Sequence, residues 1–219
     1  MAFRTFFIVI AFFYFFHVSA QGILFVGNSI FTDKEIPQMV KAYFSRTEIR
    51  IGDISKNGYS INRHLKDINS LKELNNNNWN IWIVLGLNKN MENLYMNKLD
   101  SIRGDRDVQI ILIQPWTYYR PIEFRKKAIK LAVINYENLI NNYEGVQLFR
   151  LGETLDCLLD KDPSIEFFYD NIHPNVFCRD IILNGIMKKI IKILEFQGVD
   201  LAADQIEFGY YIDCIQKFD

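Results

Sequence analysis

The chain has 219 residues, 49% of them hydrophobic, and a formal net charge of −1. That length gives one ordinary domain enough interior for a full core. The near-neutral charge offers no electrostatic case for nucleic acid or an anionic membrane as partner, and three cysteines without a C-x-x-C pair do not supply the pattern of a zinc site.

Taken in order, the chain opens with a basic start, Met1-Ala-Phe-Arg4. An unbroken apolar run from Phe6 to Phe16 follows, with small residues at Val18 and Ala20. This is the layout of a secretory signal peptide, and the run is too short to span a bilayer comfortably. Residues 1–20 are therefore expected to be removed, leaving a single domain over residues 21–219 in the periplasm or outside the cell. Without Arg4 the mature chain carries 24 basic and 26 acidic side chains, a charge of −2. No later stretch reads as an integral membrane segment. An oxidising compartment would allow one disulfide and one free thiol among Cys157, Cys178 and Cys214, with the pairing left open.

Ile23 to Val26 is a short apolar run of the kind that forms a strand buried on both faces. Gly27 breaks it, Ser29 follows at the turn, and a helix starts at Ile36-Pro37 with Met39, Val40 and Phe44 along it. Glu48 to Ile54 alternates as a strand near the sheet edge, and Ser55 to Tyr59 is a loop by composition. Ile61, Leu65, Ile68 and Leu71 recur at the spacing of one helix. Ile81 to Leu85 is a central strand ended by Gly86-Leu-Asn88, and Leu94, Leu99 and Ile102 mark a weaker helix. Val108 to Ile113 is another buried strand, which leaves through Gln114-Pro-Trp-Thr-Tyr-Tyr119. A long helix is predicted from Ile122 to Tyr143 with Phe124, Ala128, Leu131 and Leu139 inward, its Arg125, Lys126, Lys127 and Lys130 forming a solvated face. Val146 to Phe149 is the last strand. Asn175 is placed to cap a final helix that Gly198 stops.

Alternating short apolar strands and helices predict a parallel sheet covered by helices on both faces. Such sheets gather functional groups on the loops past the carboxyl ends of their strands. Ser29, Gly58, Asn88 and the segment Asp170-Asn-Ile-His-Pro174 all occupy loops or strand exits. Serine attacks a carbonyl only when a base takes its proton, and the base works best when a carboxylate fixes its tautomer. Asp170 and His173 are three apart, close enough for one loop to bring them together. His64, beside Arg63 and Lys66, reads as a surface residue. The oxygen charged during attack needs preorganised donors, for which the Ser29 and Gly58 backbone N–H groups and the Asn88 amide are candidates.

Together, Gly27-Asn28-Ser29, Lys56-Asn57-Gly58, Gly86-Leu87-Asn88 and Asp170-Asn-Ile-His-Pro resemble, in order and over nearly the whole mature chain, the motifs of the SGNH (GDSL-type) hydrolases. The resemblance implies a flavodoxin-like three-layer α/β/α fold with about five parallel strands. It also implies a serine esterase with Ser29 as nucleophile, His173 as base and Asp170 as its orienter. Ser29, Gly58 and Asn88 would form the oxyanion hole, with no metal or organic cofactor. Asn28 replaces the family's usual Asp, Lys89 stands where G-x-N-D has its Asp, and Cys178 falls near a position often small. The segment lacks the second Gly of G-x-S-x-G, against an α/β-hydrolase elbow. Trp116 and Tyr118 leave the fourth strand where they could receive a sugar ring or acyl chain. The expected substrate is a small-molecule or saccharide ester of a short acyl group, and the resemblance leans toward acetyl groups on saccharides. An O-acyltransferase using the same serine and a non-catalytic binding member of the fold are the alternatives. The oligomeric state is not legible.

Overall fold

The computed structural model describes residues 21–33, 35–85, 87, 91–114, 116, 122–170, 173–199 and 214. The signal peptide expected over residues 1–20 lies outside them. Five strands, β1 (Gly22–Val26), β2 (Arg50–Asp53), β3 (Ile81–Leu85), β4 (Gln109–Ile113) and β5 (Val146–Phe149), form one parallel sheet in the order β2-β1-β3-β4-β5. Ile23 stands opposite Ile51 on one side and Ile81 on the other, and Leu112 opposite Leu148. The order runs from β1 to one edge and then back across to the other. Winding therefore reverses beside β1, and a doubly wound sheet opens its ligand crevice past the carboxyl ends of the strands at that reversal.

Successive strand residues point to opposite faces, so apolar runs must be covered on both sides. Ile23, Phe25, Ile83 and Ile111 pack in one layer with α1 (Ser29–Thr32), α2 (Ile36–Tyr43), α7 (Leu151–Lys161) and α8 (Val176–Phe196). Leu24, Val26, Trp82 and Leu112 pack in the other with α3 (Ile61–His64), α4 (Ile68–Leu74), α5 (Glu92–Arg103) and α6 (Ile122–Asn142). The result is a three-layer α/β/α fold, as the sequence led one to expect. Each fully buried Ile, Leu or Phe side chain in these layers contributes about 1.5–3 kcal/mol.

Three helical expectations need correction. The helix expected through Ile61 and Leu71 is two helices, because the Asp67 side chain accepts a hydrogen bond from Ser70 N–H and starts α4 anew. Ile68 is consequently exposed, while His64 and Ser70 turn inward. The long helix α6 has the predicted extent but a different inner face. Ile129, Val133, Tyr136 and Leu139 are buried, whereas Phe124 and Leu131 are exposed. Apolar residues occur all round α6, so periodicity alone does not choose a face. Its rotation brings Arg125 to Asp156 at 2.7 Å and Lys126 to Asp160 at 2.8 Å on α7, so these two cations are paired rather than simply solvated. Helix α7 has no sequence-level start signal, since Arg150 precedes it without a side-chain cap. Arg150 instead bridges Glu137 of α6 and Glu153 of α7.

Asn175 caps α8 as its position suggested, accepting from Cys178 N–H at 2.9 Å, and Gly198 follows the helix end at φ 76°. Cys157 of α7 is disulfide-bonded to Cys214, and Cys178 is a buried free thiol that burial pushes well above the usual range. No helix among the described residues is long and apolar enough to cross a membrane.

Candidate active site

Strand β1 delivers the site's first residue. Its chain leaves through Gly27, where any Cβ would meet the Phe31 ring at 2.5 Å, so only glycine allows that ring to close over the turn. Asn28 then caps α1, its side-chain oxygen accepting from Ile30 N–H at 3.0 Å. Ser29 is the first residue of this single-turn helix. Its N–H therefore has no acceptor within the helix.

The other half is a tight loop before α8. Phe168 and Pro174 pair as an isolated antiparallel bridge, and Tyr169 N–H donates to the His173 carbonyl at 3.2 Å. Across this loop the Asp170 carboxylate holds His173 twice. Oδ1 accepts the His173 backbone N–H at 2.7 Å, and Oδ2 lies 2.6 Å from ring Nδ1. A carboxylate only accepts, so Nδ1 carries the proton and Nε2 is free to accept one. Nε2 lies 3.1 Å from Ser29 Oγ, across a separation of 144 residues. The side chain of His173 is 23% exposed, open enough for a substrate to reach and enclosed enough to hold its orientation.

Gly58 lies at φ 70°, a left-handed conformation that favours glycine, in a turn closed by Tyr59 N–H donating to Lys56 O at 3.0 Å. The β1–β2 ladder continues past the strands, with Ile54 N–H on Phe25 O and Lys56 N–H on Gly27 O. That continuation sets the Gly58 loop beside the turn that carries Ser29. Asn88 and Tyr118 lie outside the described residues. Trp116 stacks on Phe168 with centroids 5.7 Å apart and packs against the core, so its ring braces the loop that carries Asp170 and His173.

Two neighbours of His173 escaped the sequence reading. Asp33 Oδ2 lies 3.7 Å from Nε2, and the Tyr169 ring stacks on the imidazole at 5.8 Å. Asp33 was findable: it stands four residues after Ser29, the spacing that places two side chains on one side of a helical turn. Tyr169 adjoins the Asp-x-x-His segment, but nothing in its type marks it. His64 requires a correction. It is fully buried, not a surface residue, with Nε2 2.7 Å from the Gly27 carbonyl and Nδ1 3.0 Å from Ser70 Oγ. Its burial lowers its proton affinity below the ordinary histidine value. Among the described residues no group of three or more His, Cys, Asp and Glu side chains is arranged to hold a metal ion.

The fold has known counterparts. An α/β hydrolase from the metagenome of Lake Arreo superposes with a TM-score of 0.57 at 16% identity, covering 84% of this chain and 97% of its own. An acetylxylan esterase from Geobacillus stearothermophilus matches at 0.56 and 14% identity, over 78% and 94% of the two chains. A GDSL-like lipase from Bacteroides thetaiotaomicron matches at 0.51 and 12% identity, over 80% and 89%. No family model and no curated protein matches the sequence. At these identities the shared property is the fold, and the resemblance to SGNH (GDSL-type) hydrolases holds at that level.

Proposed function

We propose that this chain is a secreted serine esterase of the SGNH/GDSL type, acting on short-chain acyl esters, with acetylated saccharides as the preferred class. The observation that carries the reading is the hydrogen-bonded series Ser29 Oγ, His173 Nε2, His173 Nδ1 and Asp170 Oδ2. In this reading His173 Nε2 takes the Ser29 hydroxyl proton as Oγ attacks the ester carbonyl. Negative charge gathers on the carbonyl oxygen, for which the Ser29 and Gly58 N–H groups and the Asn88 amide are the donors. The imidazolium, held by Asp170, then gives its proton to the departing alcohol oxygen as the C–O bond breaks. A water molecule repeats the sequence on the acyl-serine, releasing the acid and restoring the hydroxyl.

Secretion is supported by the leader-like residues 1–20 and by the Cys157–Cys214 disulfide, which suits an oxidising compartment. The saccharide preference is supported by the acetylxylan esterase among the structural neighbours and by the exposed Tyr169 ring beside His173. The test is turnover of aryl acetates and acetylated xylo-oligosaccharides by wild type and Ser29→Ala. The variant is expected to lose kcat by on the order of 10⁴-fold or more. Wild-type turnover in Ser29→Ala would remove the serine from its role, and a panel without any turned-over ester would remove the esterase reading.

A further inference from the structure

Beneath the Ser29 turn lies a buried polar group that the chemistry above does not use. His64, at the end of α3, is fully buried, and each ring nitrogen lies within 3.0 Å of a protein oxygen. The Gly27 carbonyl can only accept, so the nitrogen facing it at 2.7 Å, Nε2, carries a proton. The Ser70 hydroxyl lies 3.0 Å from Nδ1 and 2.8 Å from Asp67 Oδ2. Asp67 in turn accepts from Lys56 Nζ at 2.6 Å and from Ser70 N–H at 3.2 Å.

The network closes on the site from two directions. Lys56 N–H donates to the same Gly27 carbonyl at 3.2 Å, and the Lys56 carbonyl closes the turn that contains Gly58. Gly27 is two residues before Ser29, so one carbonyl oxygen joins the serine turn, the glycine loop and α3. A buried imidazole whose Nε2–H is bound to that carbonyl is a rigid strut, whereas a missing donor leaves the carbonyl underpaired. The Tyr59 ring, 5.0 Å from the imidazole, covers the strut from the loop side.

Resting on the esterase reading, we infer that His64 is a positioning residue for the reaction: through Gly27 it holds the Ser29 turn and the Lys56–Gly58 loop in register, so that their two N–H groups meet one substrate oxygen. It touches no substrate atom. Its loss therefore acts on the charged transition state more than on substrate binding, because small displacements of fixed donors weaken catalysis steeply.

The experiment compares His64→Leu, which fills the space without a donor, with His64→Gln, whose side-chain N–H₂ can reach Gly27. Kinetics on an aryl acetate, fluorophosphonate labelling of Ser29 and thermal melting are run on both, beside Ser29→Ala. His64→Leu is expected to lose kcat and labelling rate about 10- to 100-fold with little change in KM, and His64→Gln to recover most of both. Wild-type kcat in His64→Leu, or equal losses in both variants that follow their melting temperatures, would overturn the inference. A nitrogen NMR spectrum of the wild type supplies a check that needs no variant: Nε2–H supports the strut, and an unprotonated Nε2 overturns it. The Ser29→Ala control separates the two readings. If it turns over ester like wild type, the esterase reading fails. If it is inactive while His64→Leu is not, only the role of His64 fails.

Discussion

The turn that carries Ser29 leaves a fully buried strand and is tied from below by the enclosed His64, whereas Asp170 and His173 are tied to each other across one short loop that Trp116 braces. Gly27 O receives donors from α3 and from the loop after β2, so the serine side depends on contacts reaching far along the chain. Asp170 instead binds the backbone and the ring of a residue three positions away, with its own side chain 42% exposed. The serine is thus placed by ties that reach far along the chain, and the pairing of Asp170 with His173 by contacts within one turn. Damage should therefore spread differently from each: to stability and loop register from the first, to proton transfer from the second.

The sharpest way to break the local half is Asp170→Asn. The amide oxygen can still accept the His173 N–H and preserve the turn, but an N–H₂ facing Nδ1 favours the tautomer whose Nε2 cannot take the serine proton. The expected loss is about 10⁴-fold in kcat with little change in melting temperature. A loss confined to KM would instead make Asp170 a substrate contact. The next effect tests a tie on the core side. The Cys157–Cys214 bond closes a separation of 57 residues, and removing it with Cys157→Ala should cost about 4 kcal/mol of stability in a denaturant titration. Unchanged stability would show that the bond does not constrain the unfolded chain.

The smallest effect is a pH dependence that separates two members of the buried network. His64 binds a proton less readily in the folded state than its ordinary value of 6.5. Below that pH the unfolded chain takes up the extra proton, and stability falls by at most about 1.4 kcal/mol per pH unit. Asp67 is held down to about 2 by Lys56 and then Ser70, so its contribution is present above 3.8 and is lost as pH falls toward 2. In His64→Gln the upper phase should flatten while the lower one persists. Denaturant titrations across pH 7 to 2 read both phases, and an unchanged upper phase in the variant would assign it to another group.

Much of this fold was legible because β1, β3, β4 and β5 are largely buried and so appear as apolar runs, while β2, partly exposed at the sheet edge, reads by alternation. Ile81 to Leu85 and Val146 to Phe149 were read with the limits they have. Helix α7 was missed because Arg150 supplies no side-chain cap at its start, which is held instead through Glu137 on α6 and through Gln114 Oε1, to which Glu153 N–H donates. The inner face of α6 was misread because its pairing with α7 decides the rotation. At the site, Asp170 and His173 were readable as a pair because their tie is local. His64 was misread for the opposite reason, since its partner Gly27 lies 37 residues earlier in the chain.

The central claim is that Ser29 is made nucleophilic by His173, and covalent labelling reads this without knowledge of the natural ester. Wild-type protein treated with a fluorophosphonate and digested should yield one modified peptide, carrying the adduct on Ser29, and His173→Ala should label at a small fraction of that rate. Labelling elsewhere, or equal labelling of Ser29 in both proteins, would contradict the account.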